Sequence, residues 1–493
     1  MVSSSHHDEP PIVPTIRRFS VLNWTGDDWL WALIVVGLFL RFCYPFLDNP
    51  FAHLVSDSDR HFRSATEALD FGIFSISDSL GYQIWLGAAA RIFGKSHPVV
   101  ATYAGIMSVT TAYAWYLWFK LCLPTKRIAM VAFALITWMP DWIKLYTYFL
   151  DETLLLPLVG FMLYFGWKAK ETLALKDCLL FAGFAGLSFI TKATCAPLIG
   201  ITYILLCRNL WRAPISLPHA PVSPPQAPIS LLTPFSLWQA RFTQSILIRR
   251  LAPSIALTLV ICLLPPISFY SRTGSWSMFL PAQAKSNALY FQSGKKMMKV
   301  RNRYFDRLSG QWRVEDYWFG CPSYYTKQLT PFSDWISQRD GEFKCEIDYG
   351  APPESRFVAD KNHLSFRQKI DLTLENCVYV LVGLVWPVEF PNSIVNFERW
   401  LWPIFTLAIL FSAIKRRGLN ELDILCFAML LVLMFQQECG VEGRYRMVWE
   451  GVVIPTFVLV ISRWFKKLTD GSHIVDQLGI DLGLTSTQPL ESS

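Results

Sequence analysis

Long apolar runs alternate with short polar segments along most of this chain, and that rhythm predicts helices that cross a bilayer. Runs at 29–47, 99–121, 128–148, 153–167, 178–190, 194–207, 251–270, 400–414, 422–436 and 447–464 predict ten spans. The third is interrupted by Pro140. A crossing helix needs about 20 residues. The fifth and sixth runs are shorter, so their helices either extend past these limits or sit in a protein-lined cavity. The apolar stretch 378–388 is eleven residues long before Glu389 and reads as a juxtamembrane or re-entrant piece. Between the first two spans, 62–71 and 82–93 predict short helices lying along the membrane.

The polar segments divide the chain further. Residues 1–28 form a polar tail, and 29–207 a first transmembrane core that includes the loop 48–97. In 208–250, the prolines at 214, 218, 221, 224, 225 and 228 predict an extended linker, followed from Trp238 by an amphipathic interfacial helix. The span 251–270 leads into 271–399, whose polar, Tyr- and Trp-rich part predicts an extramembrane domain. Residues 400–466 hold the last spans and 467–493 a polar tail.

Composition agrees with the pattern. Apolar residues make up 52% of the chain and charged residues 17%, against about 25% charged in soluble domains. Mean hydropathy is +0.31. The 20 Trp and 18 Tyr are enough for interfacial belts. The eleven cysteines include no CxxC pair, which excludes zinc-type spacing. Cys321 and Cys345 are a plausible disulfide on an oxidising side.

Charge gives orientation. With ten spans, Arg17-Arg18, Lys126-Arg127, Lys168/Lys170/Lys176, Arg208/Arg212, Arg249-Arg250, Lys415-Arg416-Arg417 and Arg463/Lys466/Lys467 all fall on one face. That face is cytoplasmic by the positive-inside rule, and both tails lie on it. The net charge of +7 therefore reports orientation and contact with anionic membrane lipid, not nucleic-acid binding. The opposite face carries Asp57/Asp59, Asp151-Glu152, Lys192, the 271–399 domain and Glu438–Arg446.

Each of those clusters has two readings. Asp57 and Asp59, two apart, point the same way on an extended turn, as a base, a metal clamp or a hydroxyl-binding pair requires; helix capping is the other reading. Asp151-Glu152 opens a helix, where acids favour the dipole. Lys192 either binds a phosphate or snorkels to the interface. Arg444 and Arg446 either fork onto phosphate oxygens or pair with Glu438 and Glu442. Seven Lys and Arg between 285 and 307 form either a solvated surface or a binding wall.

Several of these motifs resemble a family. Asp59-x-x-Phe62-x-x-Ala65-x-x-x-Leu69, followed by Gly81-Tyr82 and Phe93-Gly94, is similar to the first outward loop of the integral-membrane GT-C glycosyltransferases. Ser58-Asp59-Arg60-His61-Phe62 resembles the Asp-Glu-x-His-Phe stretch of the protein O-mannosyltransferase and aminoarabinose-transferase group, with Ser58 in place of the Asp and Asp59 of the Glu; alternatively Asp57 fills the first place with one residue inserted. Leu150-Asp151, Gly186-Leu187-x-x-x-Thr191-Lys192 and Gly443-Arg444-Tyr445-Arg446 are also similar to family patterns. The resemblance covers roughly 29–207 and the last three spans.

What the resemblance implies is an all-α polytopic protein with a GT-C-like helical core of about ten spans and a non-cytoplasmic loop domain. It implies transfer of a sugar from a polyprenyl- or dolichyl-phosphate donor, with inversion, to a lipid, glycan or protein acceptor. The site would lie on the non-cytoplasmic side of a bacterial plasma membrane or the endoplasmic reticulum. Asp59 would be the catalytic base with Asp57 its rival, and Lys192, Arg444 and Arg446 would hold the donor phosphate. His61, Asp151, Glu152 and Glu442 would support them. A divalent metal is left open. The competing class is a non-catalytic membrane protein, a lipid-linked sugar transporter or a complex subunit; the ionisable residues gather at one face and no internal repeat is visible, unlike a transporter.

Overall fold

The computed structural model describes residues 25–54, 57–71, 74–76, 78–172, 174–212, 249–276, 297–320, 342–348, 381, 392–435 and 446–481. The interfacial helix expected before Arg249, most of the proline-rich linker, Cys321, Arg444 and Glu442 lie outside the described residues.

The apolar runs do form helices. α1 is Gly26–Leu47, entered through a capping box in which Thr25 and Asp28 bond reciprocally. Two helices fill the first loop, α2 (Asp57–Phe71) and α3 (Leu80–Phe93). Then come α4 (His97–Cys122), α5 (Lys126–Trp138), α6 (Pro140–Lys144), α7 (Glu152–Thr172), α8 (Leu175–Thr191) and α9 (Ala196–Arg212). α10 is Arg249–Thr273. The chain closes with α11 (Asn392–Arg416), α12 (Glu421–Phe435) and α13 (Met447–Asp481). α8 runs past the sequence limits at both ends, α9 starts two residues inside its limit and runs past it at the C-terminal end, and a short turn, Ala193–Cys195, separates them.

Among the described residues, three helices are long and apolar enough to cross a membrane: α1, α10 and the Met447–Lys466 part of α13. The bent pair Lys126–Trp138 and Pro140–Thr147 makes a fourth if it is one span. Several other expected spans are helices diluted by polar and small residues: Ser108 and Thr111 of α4 are fully buried. Those residues serve packing. α4 lies against α1 and α7, and α7 against α8. At Gly105 an added Cβ would sit 2.5 Å from the Phe42 carbonyl, so this glycine lets α1 and α4 touch backbone to backbone. Trp115, Trp118 and Trp142 fill the centre, with Trp115 edge-on to both others.

The expectation of an all-α chain needs one correction. Residues 297–348 contain a three-stranded sheet of order β2-β1-β3, with β1 Met297–Asp306, β2 Gln311–Gly320 and β3 Glu342–Asp348. β1 and β2 form an antiparallel hairpin, and β3 pairs parallel to β1. Of the basic run at 285–307, Lys299–Arg307 is strand β1 and its turn, while Lys285, Lys295 and Lys296 lie outside the described residues.

The break near Pro140 is built around a buried arginine. Pro140 offers no N–H and pushes Met139 into extended geometry, so α5 stops at Trp138 and α6 leaves at 60°. The carbonyls freed at the end of α5 need donors. Arg41 of α1 supplies them: its guanidinium donates to the carbonyls of Ile136, of Thr137 at 2.8 Å and of Trp142 at 3.4 Å, and to the Ser108 hydroxyl at 3.3 Å. Arg41→Met should lower the thermal midpoint of the purified protein, by about 1–3 kcal/mol for each carbonyl left without a donor. Arg41→Lys should recover only part, because one ammonium cannot span the fork. An unchanged midpoint in Arg41→Met would show that these carbonyls find other donors.

Candidate functional site

Four segments converge at one end of the bundle: the first turn of α2, the start of α3, residues 147–153 and the end of α8. α2 is seated by its inner face. Ser58, His61 and Ala65, spaced three and four apart, are buried. The Ser58 hydroxyl accepts from the Phe149 amide at 3.0 Å, and the Phe62 ring packs 4.6 Å from that of Phe149. α3 closes the other side. A Cβ on Gly81 would stand 2.7 Å from the Thr191 hydroxyl and 2.9 Å from the Thr191 amide nitrogen. Backbone cannot yield as a side-chain tip can. Gly81→Val should therefore push α3 off the α8 terminus and abolish function while leaving the outer helices folded, read as lost activity with retained helical circular dichroism. Normal activity would show that the junction is slack.

At the centre, Lys192 joins two acids. Its Nζ is 3.1 Å from Asp151 Oδ1 and 2.5 Å from Glu152 Oε1. The Glu152 side chain is only 1% exposed, and those of Asp151 and Lys192 are about as well covered as each other. The backbone explains the meeting. Lys192 follows the last residue of α8 in extended conformation, and Glu152 opens α7. Two carboxylates share one ammonium, so the cluster carries a formal charge of −1. Tyr82 leans over it. Burial pushes the Tyr82 hydroxyl well above its ordinary value, Tyr103 and the nearby Asp151 and Glu152 push the same way, and a hydrogen bond with Thr153 opposes them.

Behind Tyr82 lies a second acid centre that sequence reasoning missed. Asp78 is buried and accepts from Arg60 Nε at 2.8 Å and from the Ser64 hydroxyl at 2.6 Å. His61 Nδ1 stands 3.3 Å from the same carboxylate, and the His61 ring meets that of Tyr82 edge-on at 5.6 Å. Gln83 fastens the loop by donating to the Ser75 and Asp78 carbonyls. Nothing in Ser77-Asp78-Ser79 sets it apart as sequence from a capping loop.

The expected acid pair is rearranged. An extended turn would aim Asp57 and Asp59 alike, but the structure makes both of them part of helix α2. Residues two apart on a helix diverge by about 200°. Asp59 turns outward and pairs with Arg63 at 2.8 Å, the two side chains being 30% and 68% exposed. Asp57 lies on the other flank, is 20% exposed, and pairs with Arg60 at 3.1 Å. Arg60 thus links Asp57 to Asp78, and through His61 and Tyr82 to the Lys192 cluster.

The remaining expected residues stand apart or outside. Arg444 and Glu442 lie beyond the described residues. Arg446 is buried, with its Nε 2.7 Å from Glu450 Oε1 and its guanidinium over the Trp402 ring. Glu450 also accepts from the Trp142 indole at 2.8 Å. Among the described residues the acid facing Arg446 is Glu450, one helical turn later; Glu438 and Glu442, the partners weighed against a bound phosphate, lie outside the described residues. Among the described residues, no group of three His, Cys, Asp or Glu side chains is arranged to hold a metal ion.

Comparison with known proteins adds one family. Residues 80–238 match the family model described as dolichyl-phosphate-mannose-protein mannosyltransferase. No curated protein matches the chain. Among solved structures, the chain is similar to the Archaeoglobus fulgidus oligosaccharyltransferase tethered by a disulfide to an acceptor peptide containing the NVT sequon. Identity there is 12% and the TM-score 0.38, over 94% of this chain and 52% of that one, so this chain spans about half of that protein's length. The family match takes in Gly81, Tyr82, Asp151, Glu152 and Lys192, and over residues 80–238 this chain is similar to the dolichyl-phosphate-mannose-protein mannosyltransferases of the GT-C type.

Proposed function

We propose that this chain is an integral-membrane glycosyltransferase that moves a sugar from a polyprenyl- or dolichyl-phosphate donor to a lipid, glycan or protein acceptor. One observation carries the reading. The matched segment 80–238 contains the Asp151–Glu152–Lys192 cluster, and that cluster sits beside the acid turn of α2 through Tyr82 and His61. Ten spans, both tails cytoplasmic, and a reaction on the opposite face complete the proposal.

The chemistry divides among the residues as follows. A carboxylate takes the proton of the acceptor hydroxyl as the oxygen attacks the anomeric carbon from the face opposite the phosphate, and direct displacement inverts that centre. Asp57 is the better base. Its partial cover and its place on the flank facing Asp78 support it, whereas Asp59 faces outward beside Arg63. Arg60 keeps Asp57 aligned. Lys192 is the cation that the departing lipid phosphate approaches, but Asp151 and Glu152 already engage it, so further positive charge must come from elsewhere. Arg444 is our candidate; Arg446, two residues on, is braced by Glu450. Cationic stabilisation of the leaving phosphate is the larger part of such catalysis.

A second reading has one observation in its favour. Asp57, Asp59, Asp78, Asp151 and Glu152 are each engaged by Arg or Lys, as in a site that binds a lipid-phosphate sugar without turnover. Donor exchange separates the two. Purified chain in nanodiscs with labelled polyprenyl-phosphate hexose should release lipid phosphate when an acceptor is added. Saturable donor binding with no release would favour the non-catalytic reading.

A further inference from the structure

The hairpin β1–β2 is inside out for a domain in water. Its inner face is charged. Asp306 is fully buried, 2.7 Å from the Arg272 guanidinium and 3.2 Å from Arg313, and Arg272 also donates to the Tyr304 hydroxyl at 2.7 Å. Burial pushes the Asp306 carboxyl up, but Arg272 and the amides of Leu308 and Ser309 outweigh it and hold it below its ordinary value. Its outer face is apolar. Phe305 lies opposite Trp312 in the register, and Val314, two pairs further along, is on the same face. With Leu308 at the turn and Trp276 nearby, these side chains are 43–66% exposed.

We propose that this hairpin is a membrane anchor, its outer face seated in the headgroup and upper acyl region of the leaflet reached by the C-terminal end of α10. The attachment supports that occupant. The polar face of the hairpin is fixed to the last turn of α10 through Arg272, and the Arg307 amide donates to the Arg272 carbonyl at 3.1 Å. α10 is apolar and long enough to cross, so its end marks the height of the interface. Continuity supports it too. Leu259, Leu263, Ile267 and Tyr270 form an exposed apolar stripe along α10, and Tyr270 stacks on Trp276 at 4.4 Å. The stripe that faces lipid thus continues onto the segment leading to the hairpin.

Composition fits the same place. Aromatic side chains favour the interface between acyl chain and headgroup. Arg303 lies over the Trp312 ring at 4.9 Å and is exposed, so its charge can reach lipid phosphates while its stem covers the indole. Left in water, such a face is an aggregation liability. The joint itself is tight. α10 ends at Gly274 in a left-handed conformation (φ +75°), and a Cβ there would lie 2.2 Å from the Arg307 guanidinium.

The proposal rests on α10 crossing the bilayer and is independent of the transferase reading. Its test uses the full chain in nanodiscs of phosphatidylcholine and phosphatidylglycerol, with the photo-crosslinker p-benzoylphenylalanine in place of Leu308 or Trp312. Both positions are exposed, so the fold should tolerate the change, and two positions guard against one failing. The same substitution at Gln311, exposed and paired with Asp306 in the register, is the control. We expect lipid adducts by intact mass from Leu308 and Trp312 at several-fold the yield from Gln311. Adducts to another segment of this chain or to a second copy would overturn the proposal. So would lipid adducts no more abundant than at Gln311. Transfer activity is not the readout, so either failure leaves the transferase reading standing.

Discussion

Replacing Lys192 by Met should unfold or strip function from this protein more surely than any other single change in the described core. Lys192 bridges two acids, and the Glu152 side chain is 1% exposed. Removing one partner of a buried pair leaves uncompensated charge in a poor solvent, at a cost of about 3–5 kcal/mol. That is a large share of the stability of an ordinary domain. The expectation is a lowered thermal midpoint in detergent and little recoverable protein. Paired changes give a sharper expectation. Lys192→Met combined with Glu152→Gln should be more stable than Lys192→Met alone, because the second change removes the stranded charge. If the double variant is the worse of the two, Lys192 is held by something other than these acids.

The second large effect concerns turnover with the fold intact. Asp57→Asn keeps shape and loses the base, so the transfer rate should fall by about 10²–10⁴-fold while donor binding survives. Asp59→Asn should cost far less, since Asp59 points outward and its ion-pair partner among the described residues is Arg63. The ranking follows from the α2 helix. The spacing from Asp59 to Phe62 and Ala65 favours Asp59, and the two-residue separation puts it on the wrong flank. Near-normal turnover in Asp57→Asn, with Asp59→Asn inactive, would restore the register read from the sequence.

How much of this was legible beforehand differs by element. The apolar runs marked the helices, and Pro140 marked the break, because length and a missing N–H act locally. The meeting of Lys192 with Asp151 and Glu152 was not legible; the sequence offered each residue a separate role. Asp78 stayed hidden because a buried acid and a capping acid look alike in a Ser-rich loop. Arg41 is a lone cation inside an apolar run, and its use appears only once α5 breaks 96 residues later. Trp142 and Glu450 are 308 residues apart, beyond any periodicity. The hairpin escaped because its alternation is inverted. Arg303, Phe305 and Trp312 share an exposed face, so the usual rule of apolar inside and polar outside read the segment as a solvated basic run.

The central claim is that the junction of α2, α3 and α8 transfers a sugar from a lipid phosphate. The most direct measurement is a single-turnover assay on the purified chain in nanodiscs, with donor labelled in the sugar and product followed together with free polyprenyl phosphate. Sugar should appear on an acceptor hydroxyl with inverted configuration, one lipid phosphate should be released per sugar moved, and Asp57→Asn should bind donor but release none. Donor that binds and stays intact in the unaltered chain with every acceptor class offered would contradict the claim.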